Sequence, residues 1–109
     1  MRWLASLLLA GRCCLAQPAE VRRWTDYWAT EYGVERELVS AVIEVESRGD
    51  PRAISSAGAA GVMQLMPDTA AVFRVRNRFD VEDNVRAGVA YLAWLQDLCG
   101  GDRRLVVAS

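Results

Sequence analysis

The chain has 109 residues with 13 basic and 14 acidic side chains, a formal net charge of −1 and no histidine, and every basic residue is arginine. The lack of histidine excludes Ser-His-Asp and Cys-His nucleophiles and histidine-ligated zinc, and the near-neutral charge lacks the basic excess that binding nucleic acid requires. Acid–base chemistry therefore falls to carboxylates, in a composition (52% hydrophobic, 25% charged) that fits one small globular domain.

Residues 1–16 read as a secretory signal peptide. Arg2 supplies the positive charge, Trp3 to Ala10 the apolar run, and Cys14 and Ala16 the small residues of an A-x-A-like cleavage site. The run is too short for a transmembrane helix, so no stable membrane span is expected. Arg12 interrupts the pattern, and a buried N-terminal helix is the alternative. The Cys13-Cys14 pair raises lipidation, for which Arg12 is a poor neighbour. Cleavage after Ala16 would leave Cys99 as the one cysteine, unable to form an internal disulfide and suited to a small apolar site. No metal-ligand spacing is present, and no metal or cofactor is implied.

Four helices follow in chain order. Val21, Trp24, Tyr27, Trp28 and Tyr32 recur at helical spacing between Glu20 and Tyr32, with Gly33 placed to cap the C-terminus. A second helix is expected from Val34 to Ser47, ended by Gly49 and Pro51. The small residues from Ile54 to Gly61 cannot build a core strand. A short helix is expected to start at Pro67, and a long one to run from Val81 to Leu98. Asp80 would cap the long helix, and Val85, Val89, Leu92 and Leu95 would form its apolar stripe. No segment alternates with the period of a strand. Asp102 resembles the cap of a further helix that continues towards Ser109.

The second helix carries an anomaly. At about 100° per residue, Leu38, Val39 and Val45 fall within roughly 60° of Val42 and define an apolar face. Glu44 lands near 200°, as a solvated charge would, whereas Glu46 lands only about 40° from Val42. A carboxyl group on an apolar face is partly desolvated, which raises its pKa and suits it to act as a general acid. Periodicity alone is equally compatible with Glu46 bending outward to water at the helix end.

The neighbouring residues add a pattern. Glu46-Ser47, then Gly58-Ala59-Ala60-Gly61-Val62-Met63-Gln64-Leu65-Met66-Pro67, then Asn84-Val85 with Gly88 and Tyr91-Leu92, resemble the soluble lytic transglycosylase family, with Val62 in place of the family's leucine. The resemblance covers roughly Tyr32 to Ser109. It implies an all-α, lysozyme-like small helical domain at residues 17–109. The apolar Leu105–Ala108 stretch resembles the helix preceding a Tyr-Asn-Ala-Gly motif that this sequence does not contain, so the domain is expected to be C-terminally truncated.

The same resemblance implies an exported enzyme of the periplasm or cell envelope, acting on the MurNAc–GlcNAc β-1,4 bond of peptidoglycan glycan strands. Glu46 would be the sole catalytic residue, first protonating the glycosidic oxygen and then, ionised, deprotonating the muramic acid 6-hydroxyl to give a 1,6-anhydro product without water. Ser55, Gln64, Met66 and Ser47 would bind substrate. A second carboxylate, as paired-carboxylate glycosidases use, is not required, and Asp50 is better placed as a turn residue. Two alternatives are a goose-type-lysozyme-like hydrolase and a non-catalytic peptidoglycan-binding fragment. Partners in secretion or cell-wall machinery are not legible.

Overall fold

A computed structural model describes residues 17–100. The expected signal peptide, with Cys13 and Cys14, and the helix expected beyond Asp102 lie outside the described residues. Within them are four helices, α1 (Ala19–Tyr32), α2 (Arg36–Glu46), α3 (Pro67–Val72) and α4 (Val81–Leu98). Pairing of the extended type is confined, among the described residues, to isolated bridges of Ala60 with Ile54 and with Leu65, so the domain is all-α as expected. None of these helices is long and apolar enough to cross a membrane.

The helix ends follow from local chemistry. Gly33 stops α1 in the left-handed region at φ 66°, and its N–H returns to the carbonyls of Ala29 and Thr30. Val34, expected in the second helix, is instead buried in this turn with its N–H on Ala29 O at 2.9 Å. Pro67 opens α3, where a missing N–H costs nothing. The Asp80 carboxylate accepts the Asp83 N–H at 2.9 Å, capping α4.

The core lies where α1 packs against α4 and α2. Val21 and Ala29 of α1, Val39, Val42 and Ile43 of α2, and Val85, Val89 and Leu92 of α4 interlock around Val62 and Met63. The stripe that α1 buries is Val21, Thr25 and Ala29, whose small side chains admit a close helix approach. The expected aromatic residues flank that stripe. Trp24 and Trp28 pack partly on the core, while Tyr27 and Tyr32 stand half in solvent, with the Tyr27 and Trp28 rings edge-on at 4.8 Å. Trp94 lies outside the core at 53% exposure and stacks on Tyr91. These two rings, with Thr69, Val72 and Phe73, line an apolar groove of about 550 Å³ between α3 and α4.

Glu44 departs from expectation. It is 9% exposed, and both carboxylate oxygens are shielded from water without a hydrogen-bond partner. Helical periodicity placed it as a solvated charge, but the buried face of α2 extends from Val39, Val42 and Ile43 to include Glu44. Gln17 Nε2 bonds Ser40 O at 3.0 Å, one turn before Glu44. On the same stretch, a side chain at Gly49 would meet Pro18 and Gln17.

Candidate active site

The candidate site forms where α2 ends against the loop that the small residues make possible. Glu46 is the last residue of α2. It is half-buried, and its Oε1 is shielded from solvent. Ser47 follows as the C-cap, and its hydroxyl donates to Val62 O at 2.6 Å while accepting the Gly49 N–H at 3.0 Å. These two bonds engage the Ser47 hydroxyl in fastening the end of α2 to the middle of the 58–65 loop. Asp50 is exposed and accepts the Arg52 N–H at 2.9 Å, which is turn chemistry.

The 58–65 loop closes on itself through a reciprocal pair of backbone bonds between Ala60 and Leu65, each 3.0 Å. Its interior is held by Asn84 of α4, which is fully buried. Asn84 Oδ1 accepts the Met63 N–H at 2.7 Å, and its Nδ2 donates to Ala60 O at 3.0 Å and Arg78 O at 2.7 Å. Every one of these contacts satisfies a polar group that burial would otherwise penalise by about 1–3 kcal/mol. Gly61 is required twice over. Its φ is 84°, and a Cβ there would overlap both Arg78 O and the Asn84 amide. Gly88 leaves space on α4 that the Met63 thioether fills.

Gln64 sits in this loop at φ 53° and is 4% exposed. Its Nε2 donates to Ala53 O at 3.1 Å and Gly61 O at 3.0 Å, so Oε1 is the amide atom left to meet a ligand. Ser55 Oγ accepts the Ala59 N–H at 3.0 Å, and Ser55 is half-exposed. Met66, also half-buried, sits at the N-cap of α3 directly after the loop. The structure therefore gathers Ser47, Ser55, Gln64 and Met66 on or beside one loop, with Glu46 adjoining it through Ser47. No cluster of side chains suited to a metal ion occurs among the described residues.

Sequence reasoning missed two residues that build the loop. Arg78 Nη1 donates to Gly58 O at 2.7 Å and to Leu65 O at 2.8 Å, and no local pattern marks it. Asn84 was legible as part of a motif, but its role as a three-bond clamp was not.

A family model, the transglycosylase SLT domain, matches residues 23–109. The chain belongs to this family. Of its relatives, membrane-bound lytic murein transglycosylase F 1 of Alkalilimnicola ehrlichii is 39% identical over 74 residues, 68% of this chain and 15% of that protein. The transglycosylase of Enterobacteria phage PRD1 is 42% identical over 64 residues, 59% of this chain and 24% of that protein. The crystal structure of an inactive mutant of lytic transglycosylase Slt from Pseudomonas aeruginosa superposes with a TM-score of 0.69 at 28% identity. The superposition covers 78% of this chain and 15% of that one. The SLT chain described here thus has the lysozyme-like helical fold and spans a minor part of the length of the relatives it matches.

Proposed function

We propose that this SLT chain carries the catalytic site of an exported lytic transglycosylase that cleaves the MurNAc–GlcNAc β-1,4 bond of peptidoglycan and forms a 1,6-anhydro-MurNAc end. The observation that carries this reading is the single carboxylate at the loop. Glu46 ends α2 half-buried, and the attached 58–65 loop contains no acidic residue. One carboxyl group in such a place suits a reaction in which the nucleophile is the substrate's own 6-hydroxyl. Glu46 would protonate the glycosidic oxygen as the bond to the anomeric carbon breaks. The resulting carboxylate would then take the 6-hydroxyl proton as that oxygen closes on the anomeric carbon, restoring the acid. Paired-carboxylate glycosidases instead need a second group about 5–9.5 Å away.

Substrate contacts are assigned to Ser55, Gln64 and Met66. With both Nε2 hydrogens engaged, Gln64 presents a carbonyl oxygen, which suits the N–H of an acetamido group. Met66 suits a sugar's apolar face. Ser47 acts through the backbone, by holding Val62 against the end of α2. A cell-envelope location accords with the relatives named as membrane-bound murein transglycosylases, and residues 1–16 are assigned as an export signal.

The test is digestion of purified sacculi with mass identification of the muropeptides. Anhydro-muropeptides that disappear in Glu46→Gln support the reading. Hydrated reducing ends would instead assign a lysozyme-type hydrolase, and sacculus binding without products a non-catalytic module.

A further inference from the structure

Three side chains hold the 58–65 loop at five backbone positions, and they fall into two groups. Asn84 takes Ala60 and Met63 from inside the core, and Ser47 takes Val62. Arg78 takes the two ends. Its Nη1 bridges Gly58 O and Leu65 O, 20 and 13 residues away in sequence, and its own carbonyl lies against Gly61. Arg78 is half-exposed, whereas Asn84 is fully buried. The bridge is therefore at the rim of the loop and not in the packing that supports the helices.

The ends that Arg78 fixes are the ones next to the proposed sugar contacts. The Gly58 N–H bonds Ser55 O at 3.0 Å, and the Ala59 N–H bonds Ser55 Oγ, so the position of Gly58 sets the position of Ser55. Leu65 leads directly into Met66. A guanidinium suits this task because its charged N–H groups make stronger bonds to carbonyls than neutral donors do, in a fixed plane.

We propose that Arg78 is a positioning residue for glycan binding, which holds the Ser55 and Met66 ends of the loop at the separation a sugar ring requires. This rests on the transglycosylase reading above. Loosening the loop makes the strand bear the cost of ordering it on binding, a cost that falls on the ground state and transition state alike. The loss accordingly appears in KM and Kd, with kcat retained.

The experiment measures calorimetric binding of soluble, uncross-linked glycan strands to Glu46→Gln, alone and combined with Arg78→Gln or Arg78→Lys, and turnover of the same Arg78 variants with Glu46 intact. Arg78→Gln is expected to weaken Kd about tenfold, with its helical circular dichroism unchanged at the assay temperature. Arg78→Lys, which keeps the charge and three N–H donors but not the planar fork, is expected to recover part of that loss. Unchanged binding in Arg78→Gln, a loss confined to kcat, no recovery by lysine, or an unfolded Arg78→Gln would each overturn the proposal. Absence of anhydro products from the chain with Glu46 and Arg78 both intact would overturn the transglycosylase reading itself, and the Arg78 proposal with it.

Discussion

The Ser47 hydroxyl donates a 2.6 Å hydrogen bond to the carbonyl of Val62, across fifteen residues of sequence, and so joins the end of α2 to the centre of the glycine-rich loop. Val62 is fully buried, and the same hydroxyl receives the N–H of buried Gly49. Ser47→Ala would leave both backbone groups without this partner. The expected cost is about 1–3 kcal/mol. Urea unfolding checks this, and a variant as stable as the parent would show that the bond has no net worth.

Asn84 is the costliest polar residue to change. Asn84→Asp keeps the Met63 N–H bond but aims a carboxylate oxygen at the carbonyls of Ala60 and Arg78, which now face Nδ2 at 3.0 and 2.7 Å. A buried charge facing two acceptors is worse than a missing side chain. Asn84→Asp is therefore expected to lower the thermal midpoint more than Asn84→Ala does, even though it is closer in shape. Calorimetric scans of the two variants decide the order.

Gly88 and Met63 are coupled through space. A Cβ at position 88 would overlap the Met63 thioether, so Gly88→Ala should cost about 1–3 kcal/mol by overpacking. Trimming Met63 to alanine removes the sulfur and the terminal methyl, the two nearest atoms, and leaves only its Cβ close to the new methyl, so part of the strain is relieved. The double variant is expected to be more stable than the sum of the single losses allows, by at least about 0.5 kcal/mol. Strict additivity in a double-mutant cycle would contradict the contact.

Glu44 is buried on α2. Its carboxylate oxygens are shielded from water and meet no donor. Replacing such a group with an apolar side chain of similar volume removes a buried polar group that lacks a partner, whose cost is about 1–3 kcal/mol. Glu44→Leu is expected to raise the denaturation midpoint, while Glu46→Leu, at the half-buried helix end, serves as the comparison. A lower midpoint for Glu44→Leu would mean that the carboxylate has a stabilising role.

What the sequence determined by itself is the set of features whose causes act over one to four residues. Gly33, Pro67 and Asp80 mark helix ends because a left-handed residue, a missing N–H and a carboxylate three residues from the N–H it accepts are local events. The stripe of Val85, Val89 and Leu92 is likewise a matter of helical period, and the motif around Glu46 pointed to the family before any coordinates. The tertiary structure decided how those residues are used. Periodicity gives the direction of Glu44 but not what lies there, and the fold buries it while Gln17, twenty-three residues before Ser40, bonds the carbonyl one turn earlier on the helix. The clamps made by Ser47, Arg78 and Asn84 reach 6 to 24 residues along the chain. Such bonds form only after hydrophobic packing has brought α2, the loop and α4 together, so no local pattern of residues announces them.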